Sequence, residues 1–224
     1  MNDQQKLRKA ELAAEIVRVG QILYAQKLIV AGEGNISVRL DADLFLLTPS
    51  RVCKGFLQPE DLICVNLAGE VVSSFNKQKP STELTLHLQV YKARPDVQAI
   101  IHAHPPMAVA TTLVGRALAT DLLPEMFLTL GAVPTAPYAV TGTPEMAKTI
   151  ETLIPQFNAL LLAHHGALTF GDNLPKALRR MEQIEQCATI LLAAQQLGGP
   201  QPLPQTCLAQ LEELRQKLHK GENL

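Results

Sequence analysis

An α/β fold whose sheet is at least partly antiparallel is the architecture this sequence predicts, and three observations predict it. Helical and strand-like patterns are interspersed along the chain. Two short runs, LICVN at 62–66 and EVVSS at 70–74, flank Leu67-Ala68-Gly69 as the arms of a hairpin would. With 224 residues, 47% of them hydrophobic, the chain can bury a core without disulfide or metal staples.

The elements follow in order. Residues 4–28 predict an amphipathic helix, because Leu12, Ile16, Val19 and Leu23 recur at helical spacing. Gly32-Glu33-Gly34-Asn35 is a turn cluster, followed by a strand, ISVRL. LFLLT at 44–48 is a second strand, ended by Pro49. Residues 81–93 predict a helix, with Ser81 and Thr82 as N-caps and Leu84, Leu88 and Tyr91 on one face; Pro95 stops it. VQAIIHAH at 97–104 is a β run closed by Pro105-Pro106. ALLLA at 159–163 is a buried strand that delivers His164-His165-Gly166. A long helix runs from about 174 to 197, ended by Gly198-Gly199-Pro200, and a shorter one occupies about 206–219. The expected organisation is one domain over 1–224, with 200–224 as a helical tail.

Charge narrows the partners. Twenty basic residues face 21 acidic ones, for a net charge of −1, so no basic stripe offers itself to nucleic acid or an anionic membrane. A small molecule or another copy of the chain is the expected partner. Cys53, Cys64, Cys187 and Cys207 form no CxxC pair and read as reduced thiols. MNDQQKLRKA lacks the apolar run of a secretory signal, and no stretch approaches the ~20 apolar residues of a membrane span. The expected location is the cytoplasm.

Four of the six histidines fall in two short segments. His102 and His104 are one residue apart on a strand, and alternation points both imidazoles the same way. Such a pair is a strong metal-ligand geometry that needs a third ligand from elsewhere. His165, at the end of another apolar strand and before Gly166, is the candidate. Ordinary core histidines are the competing reading, but a buried strand has no packing reason to gather polar rings at its end. His164 faces away if the strand continues, and His87 reads as structural.

Glu83 lies in Pro80-Ser81-Thr82-Glu83, at the start of a helix. Alone it reads as a helix-dipole acid; beside three imidazoles it reads as a general base able to touch the metal. Ser81 and Thr82 supply hydroxyls and free N–H groups at the same helix start, a ready anion site. Gly34-Asn35 and Thr48-Pro49-Ser50 are small polar turns that fit around the same anion. No glycine-rich nucleotide loop is present.

These pieces stand in a specific order: GEGNIS at 32–37, TPS at 48–50, KPSTE at 79–83, HAHPP at 102–106, APY at 136–138 and HHG at 164–166. Over about residues 8–197 the chain resembles the class II aldolase/adducin family, most of all its bacterial fuculose-phosphate aldolase branch. The resemblance implies a three-layer α/β/α sandwich around a largely antiparallel sheet, and a cyclic homotetramer with active sites at subunit interfaces. It implies zinc, or manganese, iron or cobalt, on His102, His104 and His165, with Glu83 as resting-state ligand and proton-shuttling base. Asn35, Ser50, Ser81 and Thr82 would hold the phosphate. The implied reaction is aldehyde-lyase cleavage of a ketose 1-phosphate to dihydroxyacetone phosphate and a small aldehyde, through a metal-stabilised enediolate, in sugar and pentose catabolism. The alternatives for this chain are a pentulose-phosphate 4-epimerase or a methylthioribulose-phosphate dehydratase on the same metal site, or a non-catalytic adducin-like interaction domain. Related epimerases carry Asp at the position of Glu83, which favours the aldolase.

Two departures from the family pattern bear on the substrate. The family often has glycine where this chain has Arg51, a residue able to add a bidentate phosphate contact or to narrow the pocket. Where fuculose-phosphate aldolase brings a proton-donating tyrosine across the interface, this chain aligns Glu125.

Overall fold

The computed structural model describes residues 3–219, so the last part of the expected 200–224 tail, 220–224, lies outside the described residues. A single eight-stranded sheet carries the fold, in the order β4-β3-β2-β1-β5-β8-β7-β6. The strands are β1 (Asn35–Asp41), β2 (Leu44–Leu47), β3 (Ile63–Asn66), β4 (Val71–Ser73), β5 (Ala99–Ala103), β6 (Thr135–Ala136), β7 (Ala159–Leu162) and β8 (Gly166–Gly171). The helices are α1 (Asp3–Ala25), α2 (Leu84–Ala93), α3 (Pro106–Leu113), α4 (Pro124–Thr129), α5 (Pro144–Thr149), α6 (Leu174–Gln196) and α7 (Gln205–His219).

Every neighbouring pair is antiparallel except β6 with β7, which is parallel. The sheet is therefore mixed, and mostly antiparallel. Alternate strand residues feed two separate apolar clusters, as the period of two requires. Val38, Leu46, Ile101 and Leu161 pack with Ile16, Val19 and Leu23 of α1 and with Met181 and Ile184 of α6. Phe45, Ile100, Leu160 and Phe170 pack with Leu86 and Val90 of α2 and with Met146 and Ile150 of α5.

Two boundaries differ from the sequence expectation in ways that shape the site. Helix α2 begins at Leu84, so Ser81 and Thr82 precede it rather than cap it. The Ser81 Oγ accepts from the Glu83 N–H at 3.2 Å, a local turn that competes with helix and leaves Glu83 in the half-helical N-cap position. Strand β7 ends at Leu162, and His164 and His165 lie in a tight turn with His164 at φ +57°. The chain then reverses into β8, whose Gly-Ala-Leu-Thr-Phe-Gly run is too small at its ends to declare itself from composition. The short elements α3, α4, α5 and β6 were also without a clear sequence pattern. Among the described residues no helix is long and apolar enough to cross a membrane.

Candidate metal centre and substrate cleft

Strand β5 lies between β1 and β8, and this neighbourhood assembles the site. Asn35 of β1 is directly opposite His102, and His102 is opposite Leu168 of β8. His104 follows one residue beyond the strand, where its N–H donates to the Leu28 carbonyl at 2.9 Å. The turn before β8 then brings in His165. The rings of His102, His104 and His165 have centroids 4.7–5.0 Å apart, and one ligand nitrogen from each falls within 4.8 Å of the others. His164 is outside this group: its ring faces Tyr138 across 6.0 Å, and its N–H donates to Thr112.

The donor set fits a divalent cation. His102 Nδ1 is 2.9 Å from the Ala167 carbonyl, which can only accept, so Nδ1 carries the proton and Nε2 presents a lone pair. His104 Nδ1 donates to the Glu33 carboxylate at 3.2 Å, which fixes the same tautomer. The two Nε2 atoms are 3.1 Å apart. Two lone pairs this close repel unless a cation joins them, and two nitrogens on one tetrahedral zinc sit ~3.3 Å apart. Burial holds His102 down at about 3, which keeps it neutral as a ligand must be. Burial, and then the neighbouring His165, lower His104 as well. The Ala167 and Glu33 contacts are the outer partners that orient metal-bound imidazoles elsewhere.

Gly166 makes the cluster possible. A Cβ there would lie 2.5 Å from the Ala103 carbonyl, 2.9 Å from His104 Cδ2 and 3.0 Å from His102 Cε1. Any side chain would drive β8 from β5 and separate the rings.

Glu83 closes the site. Its Oε1 is 2.9 Å from His165 Nε2, and its Oε2 is 3.4 Å from His102 Nε2 and accepts from the Asn35 amide at 2.9 Å. Burial opposes its ionisation, but the two imidazoles and the Asn35 and His165 hydrogen bonds outweigh that and hold it below the usual carboxylate range. The carboxylate is thus an anion within reach of the same point as the three nitrogens.

A cleft of about 540 Å³ opens beside it, lined among others by Ser50, Arg51, Ser81, Thr82, Glu83 and His104. Its two walls come from distant segments. The Ser50 N–H donates to the Lys79 carbonyl at 2.9 Å, and Pro49 and Pro80 form an isolated antiparallel bridge. That join sets the Thr-Pro-Ser turn against Pro-Ser-Thr-Glu. Asn35, only 4% exposed, does not line the cleft: its amide turns to Glu83 and to Ser81 Oγ. Arg51 has φ +59°, the left-handed region, which explains why glycine suits this position. Glu125 is exposed on α4 and does not line this cleft.

Glu33 and Lys54 line the cleft without any local pattern that singles them out. Glu33 lay in a segment recognisable only as a turn, and Lys54 in a short 3-10 turn, Lys54–Phe56, without periodicity. Their signal is spatial: a charged group beside a glycine that lets backbones touch. His87 is structural as expected, fully buried, with Nδ1 2.6 Å from Ser37 Oγ.

A protein-family profile described as Class II Aldolase and Adducin N-terminal domain matches residues 14–192. A 3-oxo-tetronate 4-phosphate decarboxylase of Pectobacterium atrosepticum is 32% identical over 182 residues, 80% of this chain and 82% of the relative. A 5-deoxy-D-ribulose 1-phosphate aldolase of Bacillus thuringiensis serovar kurstaki is 32% identical over 207 residues, 91% of this chain and 93% of the relative. A solved L-fuculose 1-phosphate aldolase superposes with a TM-score of 0.82 at 30% identity, covering 91% of this chain and 95% of that one. The chain is a lyase belonging to the class II aldolase and adducin N-terminal domain family.

Proposed function

We propose that this protein cleaves a ketose 1-phosphate to dihydroxyacetone phosphate and a small aldehyde. The observation that carries the reading is Glu83: one carboxylate touches His165 and His102 at the metal centre and also forms the wall of the cleft that holds Ser81 and Thr82. Similarity to proteins named as ketose-phosphate aldolases supports it. In the same reading the chain is one cytoplasmic domain over 1–224, a three-layer sandwich with 200–224 as its tail, assembled as a homotetramer.

His102, His104 and His165 would hold a divalent cation, zinc in our reading, which would supply Lewis acidity toward the negative charge that develops on the substrate. The chain's own residues do the rest. Ser50, Arg51, Ser81 and Thr82 hold the phosphate, and Asn35 holds Glu83 and Ser81 in place for it. Glu83 then moves a proton at the carbon that loses its aldehyde partner, which becomes the hydroxymethyl carbon of dihydroxyacetone phosphate. The proton of the hydroxyl that becomes the aldehyde needs a separate acceptor. Glu125, exposed on α4 and outside its own chain's cleft, takes that part from a second copy.

Glu125 also favours a second reading. Decarboxylation of a 3-oxo-tetronate 4-phosphate yields the same three-carbon product but releases carbon dioxide, a leaving group with no hydroxyl proton to remove. A chain without tyrosine at that position is suited to it, and a relative so named is 32% identical. One assay separates the two: dihydroxyacetone phosphate release measured with fuculose, ribulose, 5-deoxyribulose and methylthioribulose 1-phosphates, and with 3-oxo-tetronate 4-phosphate. Turnover of a ketose phosphate supports the aldolase; turnover of the acid alone replaces it with the decarboxylase.

A further inference from the structure

Lys54 is 1% exposed, yet it lines the cleft together with Ser50, Arg51, Ser81 and Thr82. Its Nζ donates to the Gly32 carbonyl at 2.7 Å. Among the described residues that is the only hydrogen bond its ammonium makes, and no carboxylate lies within ion-pair distance. An ammonium has three N–H groups, and a buried charge is normally paired. The nearby carboxylates are committed elsewhere: Glu33 to His104, and Glu83 to His165, His102 and Asn35.

The fold gives this lysine little freedom to leave. A Cβ on Gly20 of α1 would lie 2.5 Å from the Lys54 carbonyl oxygen, and one on Gly55 would lie 2.6 Å from the Tyr24 ring. The turn 54–56 is therefore pressed flat onto α1. On its other side, a Cβ on Gly32 would lie 2.9 Å from Arg51 Cα. Close backbone approaches thus fix the turn that carries Lys54, and its Nζ is held on the Gly32 carbonyl at the cleft.

We propose that Lys54 is the buried counter-charge for the substrate's phosphate, completing a cradle whose other wall is Ser81 and Thr82. The inference rests on reading this cleft as the substrate site. Tethering that loop uses one N–H of an ammonium that has three, so the tether does not account for a buried cation. Burial lowers the Lys54 ammonium to about 8, against the opposing pull of Cys53, Glu83 and Glu33, so at neutral pH the charge is still present. A doubly charged phosphate arriving on Nζ meets a cation already stripped of water, which makes the contact strong.

The test uses the full-length, metal-loaded protein and no turnover. Glycerol 1-phosphate, and glycerol as its uncharged control, are titrated calorimetrically into wild type, Lys54→Met and Lys54→Gln. The expected result is roughly 10- to 100-fold weaker binding of glycerol 1-phosphate by both variants, the loss of a charged hydrogen bond, with metal content unchanged. Equal affinity in a variant that keeps its metal would overturn the proposal and leave Lys54 as a loop tether. If neither variant folds, a crystal structure of wild type with glycerol 1-phosphate decides. A phosphate oxygen within hydrogen-bond distance of Nζ supports the proposal; a phosphate held elsewhere, with Nζ only on Gly32, overturns it. A protein that binds glycerol 1-phosphate through Lys54 but cleaves no ketose phosphate keeps this inference and loses only the aldolase reading.

Discussion

The carboxylate of Glu83 meets the imidazole of His165 at 2.9 Å, Oε1 to Nε2, although the two residues stand at the start of a helix and in a turn between strands. Their meeting places an anion beside three clustered imidazoles, and the predictions start there. Glu83→Gln keeps the shape but cannot accept a proton. We expect kcat to fall about 10²- to 10⁴-fold, with metal content and phosphate affinity mostly retained. Exchange of the hydroxymethyl protons of dihydroxyacetone phosphate, followed by NMR, should fall in parallel, because it needs no aldehyde. Wild-type cleavage and exchange would make Glu83 a structural residue.

One divalent ion per chain should bind through His102, His104 and His165. His165→Ala should abolish tight binding, whereas His164→Ala, whose ring lies against Tyr138, should largely spare it. Elemental analysis of the purified variants reads this directly, and full metal content in His165→Ala would remove that residue from the ligand set.

Gly166→Ala adds a single methyl where the Ala103 carbonyl and two imidazole carbons already stand within 2.5–3.0 Å. Overpacking of this kind costs about 1–3 kcal/mol. Both the urea midpoint and the metal content should drop, although no ligand atom has been removed. A variant with normal metal affinity would show that β8 can shift away from β5 without disturbing the rings.

Arg51 should show stability and function moving in opposite directions. Glycine at its φ of +59° relieves a left-handed strain of about 1–2 kcal/mol, partly offset by the entropy glycine adds to the unfolded chain. Arg51→Gly is therefore expected to be up to about 1 kcal/mol more stable in urea. Its KM for a phosphorylated substrate should rise if the guanidinium holds phosphate, and its substrate range should widen if the side chain only narrows the pocket. Unchanged KM and unchanged range together would leave Arg51 with no role in recognition.

His87 gives the protein a pH dependence of known sign. Burial lowers it to about 4 from the usual 6.5, so the unfolded chain takes up a proton before the folded one does. Its contribution to stability is complete above about pH 6.5 and is lost as pH falls toward 4. Between pH 7 and pH 5 that loss is about 2 kcal/mol. In chelator-treated protein, urea unfolding of wild type should fall more steeply over this range than that of His87→Gln by about that amount. Parallel curves for the two proteins would mean that His87 is not buried as a neutral ring.

The parts of the molecule that were legible in the sequence are those written in local pattern. The His102–His104 pair of the β5 run and helix α1 follow from spacings of two and of three to four residues, and the hairpin of β3 and β4 and the end of α6 from the turn residues Leu67-Ala68-Gly69 and Gly198-Gly199-Pro200. Those spacings are consequences of strand pleat and helix pitch, and neither depends on the rest of the chain. The identity of His165 as the third imidazole was also legible, but not its reason: it was expected at a strand end and stands in a turn whose preceding residue has φ +57°. What only tertiary structure decided are the meetings of segments far apart in the chain. Glu33 pairs with His104 from 71 residues away, the Ser50 and Lys79 backbones join two turns into one cleft, and β6 runs parallel to β7. No local pattern marks Lys54, which is buried because α1 closes over its turn through Gly20. Local spacing carries no information about such contacts, because they are selected by packing around one sheet, where glycines set how closely two backbones approach.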